Sequence, residues 1–251
     1  MRPSLLTVGS LFSGLGGLEM GMEQTGRFET VWQVENDDYC LRRLAELWPM
    51  ATRLTDVRIA NRDNLSTVDV IVGGFPCQDI SIAGKKAGIN GENSGLWQHF
   101  SRIIGELRPR YVVVENVAEL TRRGLDRVCG DLASFGYDAE WSVVSACAVG
   151  APHTRERVFV VAYPVQSRQA WRGAGWIGGW GVGQTEAGRT RRNRDAETDV
   201  FWKTEPSMAR VANGVPFQVE RINRLGNAVV PQVGRLIGNI VAEIDAQWVY
   251  P

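Results

Sequence analysis

A glycine-rich turn near the start of the chain has the composition of a ligand-binding loop. Residues 12–17 read Phe-Ser-Gly-Leu-Gly-Gly, directly after an apolar run and before a segment of helical period. Glycines let a backbone come close to a bound molecule, which suits a nucleotide-like ligand. The pattern is not the strict GxGxxG of dinucleotide-binding turns, because Glu19 stands at its sixth position. A second residue is needed to support a nucleotide site.

An acidic residue at a suitable spacing gives that support. Glu35 ends the second apolar run, 21 residues beyond Gly14, where a carboxylate would accept hydrogen bonds from ribose hydroxyls. Asp56 follows a third short apolar stretch and is a weaker candidate for contact with an adenine amino group. Taken alone, a glycine-rich turn is more often a tight turn without a ligand, and a lone Glu is more often a solvated surface charge. Their combination predicts an adenosine-bearing cofactor.

A thiol and a carboxyl group follow two further apolar runs. Cys77 comes after the run 68–72, in Gly-Gly-Phe-Pro-Cys-Gln, and Glu115 follows the run 111–114. Ligands of open α/β sheets bind outside the carboxyl ends of the strands, so we expect both groups at one pocket. A structural alternative remains for each residue. A lone Cys is often a buried residue of the hydrophobic core, and this Glu could be an acidic residue at the start of a helix.

Two arginines precede the last apolar run of this series. Arg155 and Arg157 are two positions apart, so in extended backbone they would project to the same side. Two guanidinium groups suit phosphate or carboxylate binding, and a solvated pair of charges is an equal alternative.

The overall pattern predicts the α/β class. Apolar, β-branched runs alternate with segments of helical period, which is typical of a parallel sheet covered by helices. The strand candidates are 5–12, 30–34, 68–72, 111–114, 141–145 and 158–162. Apolar stripes of helical spacing begin at Leu96 and Leu125, and another runs from Val233 to Ile244 in a helix predicted from Pro231 onward.

The composition changes after Pro164. From there to Glu205 the chain holds seven glycines and four of its nine tryptophans, with a basic run at 189–194. No regular period survives in that stretch. We therefore predict a catalytic domain at 1–163, a small irregular region at 164–225, and a C-terminal helix at 226–251 that packs back on the first domain.

Charge, cysteine and hydropathy patterns exclude several classes. The formal net charge is zero, which gives no bulk reason to expect nucleic acid. The four cysteines form no CxxC pair and there are two histidines, so we expect no metal site. No apolar run approaches the roughly 20 residues that span a bilayer, and the first residues lack the charged and apolar pattern of a secretory signal, so we expect none. We expect a soluble, cytoplasmic protein with reduced thiols that does not bind membranes.

In this order, these segments resemble the DNA (cytosine-5)-methyltransferase family, most closely its compact bacterial and phage members. The matching motifs are Leu-Phe-Ser-Gly-Leu-Gly-Gly-Leu-Glu at 11–19, Gly-Phe-Pro-Cys-Gln at 74–78, Glu-Asn-Val at 115–117, Pro-His-Thr-Arg-Glu-Arg at 152–157 and Leu-Gly-Asn-Ala-Val-Val at 225–230. His153 departs from the Gln that is usual in the arginine motif, and Asn93 from an Arg that is common before Ser-Gly-Leu. The resemblance implies a Rossmann-like, S-adenosylmethionine-dependent methyltransferase sheet, with the region 164–225 as target-recognition region.

The resemblance also implies roles for individual residues. The S-adenosylmethionine site would comprise Phe12, Gly14, Leu15, Gly16, Gly17, Glu35, Asn36, Asp56, Val57, Pro76, Asn227 and Ala228. Cys77 would attack C6 of a flipped-out cytosine, Glu115 would bind the cytosine edge as an acid, and Arg155 and Arg157 would assist. DNA contacts would come from Gln78, Ser81, Lys85, Lys86, Arg189, Arg191, Arg192 and Arg194. The expected partners are duplex DNA and, where one exists, a cognate restriction endonuclease, and we expect a monomer.

Three alternatives remain beside this interpretation. One is a transfer-RNA cytosine methyltransferase, because one branch of the family keeps the same motifs. The others are a nicotinamide-dependent oxidoreductase, which the missing third glycine disfavours, and a non-catalytic DNA-binding relic, which the intact Cys77, Glu115 and Arg155 disfavour. The charge distribution is compatible with DNA: residues 1–150 carry 15 basic and 19 acidic side chains, whereas 151–251 carry 13 and 9. Binding through these cations should weaken as salt rises.

Overall fold

A seven-stranded sheet with helices on both faces forms the centre of the protein. The computed structural model describes residues 4–76, 95–167 and 228–247. The strands are β1 (Leu6–Leu11), β2 (Phe28–Val34), β3 (Thr52–Leu54), β4 (Val70–Gly73), β5 (Tyr111–Val117), β6 (Tyr137–Ser145) and β7 (Glu156–Pro164). The helices are α1 (Gly17–Glu23), α2 (Asp38–Leu47), α3 (Leu96–Leu107), α4 (Leu125–Ser134) and α5 (Pro231–Gln247). The predicted α/β, Rossmann-like class is confirmed.

The sheet is mixed, whereas the sequence pattern predicted a parallel one. The strand order is β3-β2-β1-β4-β5-β7-β6, and the first five strands are parallel. β7 runs antiparallel to β5 and β6, because it returns from β6 as a hairpin and inserts between them. The start of β7 therefore lies beside the end of β5, with Arg157 opposite Val117. This reversal decides where the arginine pair is located.

Burial explains the strand compositions. Every residue from Val158 to Tyr163 is buried, since β7 has a strand on each side and packing on both faces. β6 is an edge strand, and its Trp141 is 48% exposed. A continuous apolar run for β7 and a less regular pattern for β6 follow from these positions.

Two hydrophobic clusters fill the two faces of the sheet. One contains residues of α3 and α4, including Phe100, Ile104 and Leu132. The other joins α1 to α5 through Leu18, Met22 and Ile237, with further aliphatic residues. Burial of apolar area at about 25 cal/mol per Å² is the main force that holds helices against such a sheet. The predicted C-terminal helix from Pro231 is confirmed, and it packs on the first helix of the domain.

Ion pairs hold the C-terminal end of α5 in place. The Asp245 carboxylate is bound by the Arg110 guanidinium, accepts a hydrogen bond from the Tyr111 hydroxyl, and lies 3.9 Å from an Arg27 nitrogen. Arg110 also pairs with Asp69, at the start of β4. These contacts lie at the edge of the sheet opposite the strand ends and set the position of α5 along α1.

No helix in the described ranges combines the length and the apolar character that crossing a bilayer would require.

The close approach of α1 and α5 predicts a matched pair of stability effects. A Cβ on Gly21 would lie 2.1 Å from the Pro231 carbonyl oxygen and 2.6 Å from the Arg235 nitrogen. Gly21→Ala should therefore lower the free energy of unfolding by about 2 kcal/mol or more, because backbone must move. A Cβ on Gly130, in α4, would contact none of the described residues within 4 Å, so Gly130→Ala should raise the free energy of unfolding by roughly 0.5–1 kcal/mol. Urea denaturation of both variants measures this, and equal effects would contradict the packing described.

Candidate active site

The turn between β1 and α1 has an unusual backbone. Phe12, Gly14 and Gly16 all have positive φ, at 57°, 55° and 77°, and the Gly16 N–H donates to the Ser13 carbonyl at 2.9 Å. A Cβ on Gly14 would meet no atom of the described residues within 4 Å, so among them the turn has open space beside it at the carboxyl edge of the sheet. That open backbone fits the adenosine-bearing cofactor that the sequence predicts.

Glu35 fixes this turn from the end of β2. Its Oε2 accepts a hydrogen bond from the Gly14 N–H at 2.7 Å, and its Oε1 accepts from the N–H groups of Asn36 at 2.8 Å and Asp37 at 2.9 Å. Each carboxylate oxygen has about two acceptor positions, so Oε2 retains one for a ligand hydroxyl. Glu35 therefore positions the turn and keeps capacity for the ribose contact that the sequence predicts.

The end of β3 brings Asp56 to the same side. The Glu35 N–H donates to the Leu54 carbonyl at 3.0 Å, which joins the two strand ends. The Asp56 carboxylate accepts hydrogen bonds from the backbone N–H and Nε of Arg58, both at 2.9 Å, and these bonds lower the pKa of Asp56. Val57 packs into the hydrophobic core at 7% exposure, so its side chain serves packing.

A buried carboxyl group lies at the end of β5. The Glu115 side chain is 10% exposed, and its Oε1 lies 2.9 Å from the Arg157 Nε. A Cβ on Gly74 would lie 2.5 Å from the Glu115 Oε2, so the carboxyl group rests against the backbone three residues before Cys77. The structure thus places the predicted acid against the segment that leads to the predicted nucleophile.

Asn116 holds that segment in place. Its Nδ2 donates to the Phe75 carbonyl at 3.1 Å in a buried position, and its Oδ1 accepts from the Val117 N–H at 2.8 Å. One amide side chain therefore connects β5 to the backbone just before Pro76. The sequence predicts no separate role for Asn116, although a buried amide beside a buried Glu needs hydrogen-bond partners.

The protonation of Glu115 is set by competing influences. Burial raises the pKa of Glu115, while the positive charges of Arg157 and Arg155 oppose that rise, and burial prevails. The acid form is favoured more than in an ordinary Glu, so the group can donate a proton or a hydrogen bond. The nearby guanidinium groups let the ionised form persist after such a transfer.

Arg155 presents unused donors beside this pair. Its Nε and Nη2 are buried and have no hydrogen-bond partner among the described residues, and burial lowers the pKa of Arg155 to about 10. Arg155 and Arg157 line one pocket with Val229 and Val230. The guanidinium remains charged at neutral pH, so an anionic or carbonyl-bearing ligand would satisfy these donors.

For five more of the predicted site residues, the structure gives mainly the degree of burial. Leu15, Gly17, Pro76 and Ala228 are partly buried near the strand ends, and Asn36 is exposed. A Cβ on Gly17 would lie 2.1 Å from the Val229 carbonyl oxygen, so the segment after Ala228 returns to the glycine turn. The predictions for Cys77, Gln78, Ser81, Lys85, Lys86, Arg189, Arg191, Arg192, Arg194 and Asn227 lie outside the described residues.

The ion pair at Glu115 predicts a pH-dependent stability change. In Arg157→Met, loss of the guanidinium raises the pKa of Glu115 further. A carboxyl whose folded-state pKa is raised contributes stability at low pH that is lost as pH rises through that pKa. Relative to wild type, the free energy of unfolding should therefore fall by about 1–3 kcal/mol more at pH 8 than at pH 5.

Denaturant titrations at several pH values measure this difference. Arg43→Met is the matched control, because Arg43 and Glu46 form an exposed pair on α2 and such pairs contribute about 0.5 kcal/mol or less. A pH-independent loss in Arg157→Met would mean that the ion pair does not govern Glu115.

Comparisons with known proteins identify the family of the chain. The family model described as C-5 cytosine-specific DNA methylase matches residues 6–205. The chain is 34% identical over 167 residues to the Type II methyltransferase M.Bsp6I of Bacillus sp. (strain RFL6), covering 63% of this chain and 52% of the relative. It is 32% identical over 166 residues to M.NgoFVII of Neisseria gonorrhoeae, covering 64% and 43%. The chain thus spans about half the length of these curated relatives.

A solved structure shares the fold. The Entamoeba histolytica methyltransferase EhMeth superposes with a TM-score of 0.57 at 18% identity, over 64% of this chain and 53% of that one. At this identity the likeness concerns the fold alone. The family match covers most of the sequence, including the glycine turn, Glu115 and the arginine pair, and the chain belongs to the C-5 cytosine-specific DNA methylase family.

Proposed function

We propose that the protein transfers a methyl group from S-adenosylmethionine to C5 of a cytosine flipped out of duplex DNA. The observation that carries the proposal is the buried Glu115, paired with Arg157 and resting on Gly74, three residues before Cys77. An acid with a raised pKa beside a nucleophile-bearing segment suits activation of a base for attack. Family membership supports the same chemistry.

The cofactor would occupy the strand ends on the β2 side. Family membership and fold imply use of S-adenosylmethionine. The open turn at Gly14 and the remaining acceptor position on Glu35 fit its adenosine portion, and Asp56 would face the adenine. When bound, this cofactor supplies an electrophilic methyl group. Phe12, Gly16 and the segment from Asn227 to Val229 would complete its pocket.

The protein's own residues would prepare the base. The Cys77 thiolate would form a bond to cytosine C6 while Glu115 donates to N3, so that the electrons gained by the ring make C5 nucleophilic. After methyl transfer, a water molecule would accept the C5 proton, the electrons of the C5–H bond would expel the Cys77 thiolate from C6 and restore the aromatic ring, and N3 would return its proton to Glu115. Because C5 and C6 are stacked inside a duplex, base flipping at a cost of a few kcal/mol would precede attack.

The arginines would bind the target nucleotide. Arg155 has donors without partners in the described part of the chain, in a pocket shared with Arg157, so it would hold a phosphate or a base carbonyl. Further DNA contacts would come from Lys85, Lys86 and the arginines of 189–194, with 164–225 as recognition region. A monomeric state, a cytoplasmic location and a cognate restriction endonuclease remain expectations from the sequence.

The nucleophile is tested by substitution of Cys77. With tritiated S-adenosylmethionine and duplex DNA, wild-type protein should label cytosine, and Cys77→Ala should lose at least about a thousandfold in rate while still binding the cofactor. Cys147→Ala is the matched control, since Cys147 is an exposed free thiol. Retained methylation in Cys77→Ala would refute the covalent mechanism.

The same assay separates the substrate classes. Bisulfite sequencing of duplex DNA and of transfer RNA maps the modified base in each. Label in RNA alone would favour a transfer-RNA methyltransferase, and label in neither, with DNA still bound, would indicate a non-catalytic DNA-binding protein.

The acid role of Glu115 predicts a second kinetic effect. Glu115→Gln keeps the size of the side chain but cannot donate an acidic proton, so the methylation rate constant should fall by about 10²–10⁴-fold. Cofactor affinity should change by less than about twofold, because the substitution lies on the cytosine side of the proposed site. Single-turnover kinetics and calorimetric titration measure the two quantities. Glu46→Gln, at an exposed position of α2, is the control; a near-normal rate in Glu115→Gln would remove Glu115 from this role.

A further inference from the structure

A buried polar chain lies directly beneath the glycine turn. The Ser13 hydroxyl donates to the Ser10 hydroxyl at 2.9 Å, and both hydroxyls interact with the Glu19 carboxyl group and lower its pKa. Ser10 and Glu19 are each 1% exposed. Ser13 belongs to the turn itself, Ser10 to β1 and Glu19 to the first turn of α1, so the chain connects the ligand-facing backbone to the interior.

The carboxyl group at the end of this chain is poorly compensated. Glu19 Oε1 is buried and has no hydrogen-bond partner among the described residues. Burial raises the pKa of Glu19 to about 7, the charge of Glu23 raises it further, and hydrogen bonds from Ser10, the Glu19 backbone and Ser13 oppose the rise. No cation of the described residues contributes to it.

The surrounding elements supply polar groups but little charge. On β2, the buried Gln33 is the register partner of Ser10. Glu23, on α1, accepts hydrogen bonds from the Thr30 N–H of β2 and from the Trp48 Nε1 after α2, both at 2.8 Å. On the α5 side, the close neighbour of this turn of α1 is Gly234, against Leu18. Among the described residues, Glu23 is therefore the charged group that acts on Glu19.

A buried carboxyl group without a neighbouring cation normally lowers the stability of a fold. Glu19 lies in the first turn of α1, directly after the glycine turn, so a cationic ligand bound at that turn would compensate its charge. S-adenosylmethionine carries a sulfonium and an ammonium group against one carboxylate, and thus a net positive charge. S-adenosylhomocysteine lacks the sulfonium charge. In a site shielded from water, a buried negative charge interacts with a nearby cation more strongly than it would at the surface.

We propose that Glu19 is a positioning residue for the cofactor turn, which it holds through Ser10 and Ser13, and that its ionised form favours a cationic ligand over a neutral one. The inference rests on the proposed function, since it takes this turn to bind S-adenosylmethionine. Glu19 touches no reacting atom. It would act through the hydrogen-bonded hydroxyls and through its charge.

The sign of the pH effect follows from linkage. A bound cation favours ionised Glu19 and lowers its pKa, so proton release accompanies binding at pH values below about 7. Affinity for S-adenosylmethionine should therefore rise with pH up to about 7 and level off above it. For S-adenosylhomocysteine the same rise should be smaller.

The test is calorimetric titration of both ligands between pH 6 and pH 8.5. In wild-type protein, the affinity for S-adenosylmethionine should rise about three- to tenfold over this range, and that for S-adenosylhomocysteine by less. In Glu19→Gln, which cannot ionise, this rise should disappear apart from the titration of the ligand's own amino group. Glu29→Gln is the control, because Glu29 is exposed on β2, and it should behave as wild type.

The outcomes distinguish a failure of the proposed function from a failure of the role proposed for Glu19. If wild-type protein binds neither ligand at any pH, the proposed function fails. If both bind and Glu19→Gln keeps the wild-type pH dependence, Glu19 has no part in it. An equal pH dependence for the two ligands in wild-type protein overturns the charge effect, and this comparison remains decisive even if Glu19→Gln does not fold. Near-ultraviolet circular dichroism without ligand checks the fold of each variant.

Discussion

The buried pair of Glu115 and Arg157 imposes the strongest constraint on this structure. A carboxyl group at 10% exposure beside a guanidinium at 20% is tolerable only if both partners are held in place, because either charge alone would be costly. The two residues are 42 positions apart in the chain. Their contact requires the end of one strand to lie beside the beginning of another, which parallel neighbours cannot provide.

The antiparallel insertion of β7 meets this requirement. Reversal of one strand brings the start of β7 to the edge where β1, β2, β4 and β5 end. The carboxyl edge of the parallel strands thereby gains a pair of cations that a wholly parallel sheet would place at its opposite edge. The remaining contacts are local: Asn116 fixes the backbone at Phe75, and Glu35 fixes the glycine turn.

Most of the fold was predictable because its signals are local in sequence. β-branched runs indicated the strands, and apolar spacing indicated α3, α4 and α5. The direction of β7 was not predictable, since an apolar run looks the same in either direction and pairing depends on distant residues. The boundaries also differed: β5 extends through Glu115 to Val117, because these residues pair with β7, whereas β4 begins only at Val70.

The site was predictable in residue type but less so in role. Motif spacing located Glu35 and Glu115, yet which donors occupy the Glu35 oxygens depends on how the turn folds back on β2. Glu19 appeared in the sequence only as a departure from a glycine pattern. Its burial against Ser10 follows from packing of α1 on the sheet, which no window of sequence around α1 reveals.

The packing of α5 on α1 also has a consequence for chain length. Residues of β7 and α5 belong to the same hydrophobic cluster, so both ends of the segment that connects them are anchored in one core. For a flexible connection, the entropic cost of closing the loop grows only logarithmically with its length, at about 0.6 kcal/mol for each doubling. A flexible segment inserted there can lengthen or shorten at little thermodynamic expense to the sheet.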